Sequence, residues 1–376
     1  MSTYQYYEFQ AIDRPLNELE QQAVSALSSR VDMTPTRASF VYHYSDFRGN
    51  PLDILARYYD AFYYIANWGT TRLAFRLPRD MVDVALIRQY KADEFLMVHE
   101  HDKHIIVEFE IRDEDGYGWT EGEGSLAGFI ALRDALLNQD YRVLYLGWLR
   151  GVASGWLDEE LEEPPVPDGL GKLNGTLQAF VGEFGVDKHL IAVAAEASEE
   201  SAENQPSWSQ AVATLSAADK QAWLMRLAEG ELLLTHRFRR KLQQQLPNNA
   251  ATTHKPRTVT DLLARSEEIK AEAERIAIER AEAAARIAIE RAEAARIQRL
   301  KEFAPKAARS WIQAELLIQR KNAKAYDEAV RLLQKLKELA IYQNKEAAFQ
   351  ERLEKLRKRH FRLRSLQGRL RKLATT

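Results

Sequence analysis

Hydrophobic and polar positions follow two periodic patterns in the first part of the chain, one typical of strands and one of helices. Runs typical of β-strands occupy 3–12, 38–45, 70–77 and 141–149. Apolar residues at helical spacing occupy 15–29, 51–67, 79–90 and 125–138. Residues 94–99 and 104–111 predict a hairpin that breaks the alternation of strands and helices. We therefore predict an α+β domain over 1–157, with helices covering a mixed sheet.

The pattern becomes helical after a short change in composition. Residues 158–168 (DEELEEPPVPD) are acidic and then rich in proline, which predicts an exposed, fairly stiff linker. From 169 to 247 the apolar residues recur at helical spacing, so we predict a helical domain there.

A long helix is predicted over 258–304, since no glycine or proline occurs between Thr258 and Pro305. It contains a repeat: 275–285 reads RIAIERAEAAA and 286–295 reads RIAIERAEAA. A period of 11 residues, ~3.67 per turn, keeps repeated positions close to one line along a helix. Ile276 and Ile287 recur on one side in this way, and so do Ile278 and Ile289. These four isoleucines, set among alanines, are the predicted contacts to a partner helix, as in a coiled coil.

The last region, 305–376, predicts a basic helical bundle with helices over 306–321, 324–341 and 346–360. Its first two helices resemble a tetratricopeptide-type hairpin, but a single unit cannot form a solenoid. The predicted fold class is thus an α+β N-terminal domain followed by an all-α region, which consists of a long Ala-rich helix and a C-terminal helical bundle.

Composition narrows the possible chemistry. The chain has 376 residues, 45% of them hydrophobic, and no cysteine, which excludes disulfides, zinc fingers and a cysteine nucleophile. The net charge of −2 conceals a gradient, with −14 over 1–168, 0 over 169–300 and +12 over 301–376. We see no signal peptide and no apolar run long enough for a membrane span, and we expect a cytoplasmic protein.

The basic C-terminus is the clearest functional signal in the sequence. Its positive charge could bind either a phosphate backbone or an acidic protein surface. The alternative is an ordinary solvated face. The candidate contact residues are Arg352, Lys355, Arg357, Lys358, Arg359, Arg362, Arg364, Arg369, Arg371 and Lys372.

Candidate catalytic and metal-binding groups are few. His99, His101 and His104 lie at the predicted hairpin turn, and in a hairpin His99 and His101 would share a face, as metal ligands can. Lys103 within this group opposes a cation, so a polar turn is the favoured interpretation. No P-loop, nucleophile elbow or zinc-protease helix is present. We predict no catalytic residues, no cofactor and no enzyme activity.

Three segments carry a resemblance to a known group of sequences. The opening YQYYEFQAIDRPL, the run LGKLNGTLQAFVGEFGVDKHLIAVAAEAS (170–198) and the ending YDEAVRLLQKLKELA…FQERLEKLRKRH (326–360) resemble an uncharacterised bacterial protein family. The ending is also similar to helical tails that accompany SWIM-type zinc fingers, although a chain without cysteine has no such finger. The resemblance implies a prokaryotic, multi-protein context and no activity.

Three hypotheses follow. The first is a non-catalytic adaptor or scaffold subunit that couples an acidic head to a basic tail, and assembles with itself or with another protein through the long helix. The second is a nucleic-acid-binding accessory subunit that uses the basic C-terminal helices. The third, disfavoured by the residues, is a metal-dependent enzyme that uses the histidine and aspartate cluster at 99–104.

Overall fold

The structure, a computed structural model, describes residues 3–44, 46–92, 94–112, 124–199, 208–244 and 256–375. The chain divides into two compact units, Met1–Ala273 and Glu274–Thr376. The first contains a β-sheet with helices, and the described residues of the second are helical. The predicted fold class is confirmed. Over the same described residues, no helix combines the length and the apolar content that a membrane span requires.

A seven-stranded sheet runs through the described part of the first unit. Its strands are β1 (Gln5–Gln10), β2 (Val31–Thr34), β3 (Arg37–Tyr42), β4 (Ala61–Ala66), β5 (Thr70–Pro78), β6 (Leu96–Glu100) and β7 (His104–Arg112). They lie in the order β2-β3-β1-β4-β5-β7-β6, and the pairings are antiparallel. The sheet is antiparallel rather than mixed because short turns connect β2 to β3, β4 to β5 and β6 to β7.

The central strands lie between two hydrophobic cores. Tyr6 and Tyr63 belong to the larger core, whereas their neighbours Tyr7 and Phe62 belong to the smaller one. Successive side chains of a strand point to opposite faces, so a sheet covered on both sides needs apolar residues at every position. All six residues of β4, with the sequence AFYYIA, are accordingly buried.

Five helices cover the two faces of the sheet. The smaller core receives α1 (Glu18–Ser25) and α2 (Pro51–Tyr58); the larger receives α3 (Val84–Gln89), α4 (Ile130–Leu137) and α5 (Arg142–Ser154). The helix predicted over 51–67 is wrong beyond Tyr58, because residues 61–66 form β4. A run that is apolar at every position carries no helical period, and its aromatic residues favour a strand.

The strand predicted over 141–149 is also wrong, since this segment begins α5. Periodicity alone does not distinguish a continuously apolar strand from a buried helix. Two glycines one turn apart, Gly147 and Gly151, let α5 approach its neighbours closely. A Cβ atom on Gly147 would lie 2.7 Å from Cε1 of Phe109, and one on Gly151 would lie 2.7 Å from the Cβ of Ala92.

Five further helices of the first unit follow in sequence: α6 (Gly175–Phe184), α7 (Lys188–Ala195), α8 (Trp208–Thr214), α9 (Ala217–Ala228) and α10 (Leu234–Gln243). The first two belong to the larger core, to which they contribute Phe180, Phe184 and Leu190. The helices α8 and α10 share a small cluster of their own, which contains Ala211 and Leu242.

The long helix α11 (Val259–Phe303) begins in the first unit and is held there by backbone pairing. Glu162 forms a β-bridge with Thr258. The N–H of Val259 donates to the carbonyl of Leu161 at 3.0 Å. The predicted acidic linker 158–168 thus pairs with the residues that lead into α11. Leu262, one turn into the helix, is fully buried in the larger core.

A buried ion pair strengthens the same attachment. The carboxylate of Glu163 lies 2.7 Å from the Arg257 guanidinium and accepts a hydrogen bond from the Tyr145 hydroxyl. Arg257 also donates to the carbonyl of Val193 on α7 at 3.0 Å. Burial, and then the negative charge of Glu163, raise the pKa of Tyr145 well above its usual value. The tyrosine therefore stays neutral, and its hydroxyl donates a hydrogen bond to Glu163.

The second unit ends in a helical bundle of α12 (Ala307–Gln319), α13 (Ala323–Tyr342), α14 (Glu346–Arg359) and α15 (Arg364–Thr375). Trp311, Tyr326 and Leu333 lie in its core, between α12 and α13, where the tetratricopeptide-like hairpin was predicted. The helix α15 was not predicted as a separate element. Its Leu366, Leu370 and Leu373 close the core.

Candidate interaction surfaces

The middle of α11 lacks packing over a long stretch. Every residue from 270 to 296 is exposed, although the helix is continuous from Val259 to Phe303. Helices in globular proteins owe most of their stability to the packing of one face. Exposed ion pairs such as Arg296–Glu293, at 2.9 Å, contribute little to the stability of a helix because solvent screens them. High alanine content supports the helix, but it does not explain the large apolar side chains on its surface.

The four predicted partner-helix contacts are all on this exposed stretch. Their exposed fractions are 36% for Ile276, 60% for Ile278, 49% for Ile287 and 69% for Ile289. Residues 11 apart lie about 20° from each other around a helix, whereas residues two apart lie about 200° from each other. The isoleucines therefore form two edges: a first edge (Ile276, Ile287) and a second edge (Ile278, Ile289).

Small residues fill the arc between the two edges. This alanine face consists of Ala277, Ala281, Ala284, Ala288, Ala292 and Ala295. The opposite arc, which we call the charged arc, carries Arg275, Glu279, Glu282, Arg286, Glu290 and Glu293. On the alanine side of the first edge, Arg280 and Arg291 bring positive charge close to it. The helix thus offers a broad small-residue surface with a row of isoleucine on each side.

The ten predicted basic contacts are split by a turn. Five lie on α14 (Arg352, Lys355, Arg357, Lys358, Arg359), one lies between the helices (Arg362), and four lie on α15 (Arg364, Arg369, Arg371, Lys372). Arg362 does not continue the row of basic residues on α14, because α14 ends at Arg359. The side chain of Arg362 instead lies over the Phe361 ring, 5.4 Å from its centroid.

Several of these cations have partners within the bundle. Lys355 lies 2.6 Å from Glu351, and Arg369 lies 2.7 Å from Asp327. Arg359 reaches Glu315 on α12 at 3.3 Å. The guanidinium of Arg352 lies 4.4 Å from the centre of the Trp311 ring, a cation–π contact. Part of the positive charge is therefore used to join the helices of the bundle.

The histidine cluster forms the predicted hairpin, between β6 and β7, but its rings do not converge on one point. His99 Nε2 lies 2.8 Å from Oε2 of Glu108, whereas the rings of His101 and His104 stack 4.5 Å apart. Burial, and then the nearby charges of His101 and Arg76, lower the pKa of His104 to about 4. Across the described residues, no group of three His, Cys, Asp or Glu side chains is arranged to hold a metal ion.

Glu108 lies at the centre of a small ionic cluster on the sheet. Arg72 lies 2.5 Å from one of its carboxylate oxygens, and His99 contacts the other. Burial raises the pKa of Glu108, but the hydrogen bond from His99 and the charge of Arg72 outweigh it, so the pKa is lowered. The carboxylate is thus ionised and fully used in structural contacts.

A second buried ionic network was not predicted from the sequence, because its members come from distant segments. Arg133 on α4 donates to both carboxylate oxygens of Asp13 at 2.8 Å, and Arg76 lies 2.6 Å from Asp60. Asp60 also accepts from the backbone N–H of Ile12 at 2.7 Å. Burial disfavours charge on Asp60, but Arg133 and Arg76 reverse this effect and lower its pKa. These contacts tie α4 to the sheet.

An apolar face on α9 is the other surface that the sequence prediction missed. Trp223, Leu224 and Leu227 share one side of α9, and the two leucines are each 65% exposed. No residue of this helix is buried. Together with Leu234 and Phe238 of α10, these side chains line a groove of about 430 Å³. Apolar residues at 223, 224 and 227 among polar neighbours are a readable signal of an amphipathic helix.

Comparison with known protein families, with curated protein sequences and with solved structures finds no match to this chain. Function is therefore inferred from the residues and their geometry.

Proposed function

We propose that this protein is a non-catalytic adaptor or scaffold that assembles through α11. The observation that supports this most is the exposure of every residue from 270 to 296, in a helix that carries a repeated pair of isoleucines. In this proposal, each isoleucine edge of α11 packs against the same helix of a neighbouring copy. The two units would thereby be presented together in a multi-subunit assembly.

The energetics favour contacts that include the isoleucines. Each alanine buries little area, whereas full burial of an isoleucine contributes about 1.5–3 kcal/mol. Association opposes this with about 4–15 kcal/mol of lost translational and rotational freedom. Each contact brings together two isoleucines from each copy, and these four side chains, supported by close approach of the helices, can offset that opposing term. The alanine face alone would not.

The two edges predict a stepwise loss of assembly. A neighbouring helix covers roughly one apolar stripe of about 100°, so edges about 200° apart require two neighbours. We expect Ile276→Glu with Ile287→Glu to reduce the size of the assembly, and Ile278→Glu with Ile289→Glu to do the same. All four substitutions together are expected to give a monomer. Sedimentation velocity over a hundredfold concentration range measures this directly.

A matched control comes from the charged arc of the same helix. Arg275→Ala with Arg286→Ala has the same spacing of 11 residues and the same change in net charge as two Ile→Glu substitutions. This control is expected to sediment as the unmodified chain does. A chain that remains monomeric at every concentration, or a control that dissociates as completely as the isoleucine variants, would contradict self-association through the two edges.

Nucleic-acid binding by the basic helices stays a prediction, and no observation raises it above the scaffold. Ion pairs of Arg359 and Arg369 within the bundle occupy charges that such binding would use. If the hypothesis is correct, affinity must fall steeply with salt, and reversing the charges of Arg357, Lys358, Arg359 and Arg362 must abolish it. The metal-enzyme hypothesis has less support, since His99 contacts Glu108 whereas His101 and His104 stack on each other.

A further inference from the structure

The groove between α9 and α10 is lined by large apolar side chains, of which Leu224 and Leu227 are exposed and the others are half-buried. Trp223 and Phe238 form its floor, with ring centroids 5.0 Å apart. Leu224 and Leu227 line one side, and Leu234 lines the other. An exposed apolar surface of this kind, continuous over two helices, marks a contact site more often than a solvated face.

Cations surround the groove. Lys220 lies on its rim, and Arg239 and Lys241 are exposed on α10. None of these three makes an ion pair within the described residues, whereas Arg226 and Arg237 are neutralised by Glu231 and Asp80. Among the nearby acidic residues, Asp219, which hydrogen-bonds to Ser216, and Glu229 make no ion pair in the described structure, against three such cations. The unpaired charge around the apolar floor is therefore mainly positive.

We propose that this groove binds an amphipathic helix of an acidic partner protein. Apolar residues of the partner, at spacing i, i+3, i+4 and i+7, would pack between α9 and α10, on Trp223 and Phe238. Glutamate or aspartate residues that flank this stripe would meet Lys220, Arg239 and Lys241. The groove is separate from α11, so the proposal extends the scaffold function and does not depend on self-association.

The charge pattern selects this occupant over α11 of a second copy. The alanine face of α11 supplies no aromatic or leucine side chain to fill a groove of about 430 Å³. Beside this face, Arg280 and Arg291 would meet the basic rim with like charge. An acidic helix with leucine-sized residues complements both the volume and the sign of the charge.

The test uses the full chain and two synthetic helical peptides. Both peptides carry leucine at i, i+3, i+4 and i+7; the remaining positions are glutamate in one and lysine in the other. Fluorescence anisotropy is expected to show about tenfold tighter binding of the glutamate peptide, as two or three exposed ion pairs provide. Leu224→Glu with Leu227→Glu is expected to abolish this binding, and Lys220→Glu with Lys241→Glu to invert the preference.

Two controls separate docking from damage to the fold. Leu19→Glu changes an equally exposed leucine, 77% accessible on α1, and is expected to leave peptide binding unchanged. The α9 variant is expected to keep the urea unfolding midpoint of the parent, because both leucines are exposed. The α11 edge variants are expected to bind the glutamate peptide normally.

Three results would overturn the proposal. The first is equal affinity for the two peptides. The second is binding that persists when Leu224 and Leu227 are both replaced by glutamate. The third is a smaller assembly in sedimentation caused by the α9 substitutions, which would assign the groove to a second copy of this chain.

Discussion

The strand β4 and the middle of α11 represent opposite extremes of burial in one chain. All six residues of β4 are buried, and residues 270–296 of α11 are all exposed. Both segments contain isoleucine: Ile65 in β4 is 7% exposed, and Ile289 in α11 is 69% exposed. The first has its contacts within the chain, whereas the second lacks them.

This difference separates the apolar residues that are buried within a single copy of the chain from those that remain exposed. The first unit covers both faces of its sheet, and its buried carboxylates Asp60 and Glu108 each have arginine partners. In α11 the helix continues through a stretch where no packing supports it. The large apolar residues that recur at a fixed spacing on this stretch are the basis of the interface proposed above.

The largest expected effect is in the first unit, from the substitution Arg133→Met. This change leaves Asp13 without its bidentate partner and removes a cation from beside the buried Asp60. Breaking one partner of a buried ion pair typically lowers the free energy of unfolding by about 3–5 kcal/mol. Urea unfolding, followed by amide hydrogen exchange in β4, measures the loss.

The matched control for this prediction is Arg14→Met. Arg14 pairs with Glu20 at 2.6 Å, but its side chain is 49% exposed, so the expected loss is below about 1 kcal/mol. Similar losses for the two variants would show that the Arg133 network is not a structural tie.

Replacing the same residue type in the two regions sharpens the comparison. Ile65→Ala creates a cavity in the core and is expected to cost about 2–5 kcal/mol of unfolding free energy. Ile289→Ala is expected to change that free energy by less than about 0.5 kcal/mol in dilute protein. At high concentration, however, it should weaken the association measured by sedimentation. Equal unfolding losses in dilute protein would contradict an unpartnered α11.

A smaller effect is expected where α5 approaches the sheet. Gly147→Ala places a Cβ 2.7 Å from the Phe109 ring, and we expect a loss of about 1–3 kcal/mol from overpacking. Gly182→Ala, at a site in α6 where a Cβ meets nothing within 4 Å, is expected to stabilise the helix by up to about 1 kcal/mol. Thermal unfolding of the two variants should therefore shift in opposite directions, and a shift in the same direction would contradict close packing at Gly147.

The smallest effect concerns pH. His104 has its pKa lowered to about 4 in the folded chain, so between about pH 6.5 and pH 4 the unfolded chain binds a proton that the folded chain does not. Stability should therefore fall as the pH is lowered through this window. His104→Gln is expected to reduce the dependence of the unfolding free energy on pH in this window. Above the window, up to pH 8, variant and parent should differ by a constant amount. Parallel curves from pH 8 to pH 4 would contradict the burial of this ring.

The sequence predicts some of these elements well and others poorly, for physical reasons. The helix α11 is readable because a long span without glycine or proline has few alternatives. The β4 and α5 segments were misassigned because AFYYIA and YRVLYLGWL are apolar almost throughout, and burial on all sides removes the period. The network of Asp13, Asp60, Arg76 and Arg133 depends on tertiary contacts that no local pattern encodes.

The candidate surfaces differ in the same way. The isoleucine repeat is visible in the sequence, but its separation into two edges depends on helical geometry. The apolar spacing on α9 is equally regular, yet a sequence alone does not show whether such a face is covered. The ion pairs that join α14 and α15 to other helices of the bundle became visible only in the folded structure.

Dipolar spectroscopy between spin labels tests the central claim most directly. The chain has no cysteine, so Arg286→Cys on the charged arc gives one label per copy without intruding on the alanine face. We predict a defined distance between labels on different copies, which disappears when all four isoleucines of the two edges are replaced by glutamate. If the labelled chain itself gives no defined distance, and its signal is the same as that of the isoleucine variant, assembly through α11 is contradicted.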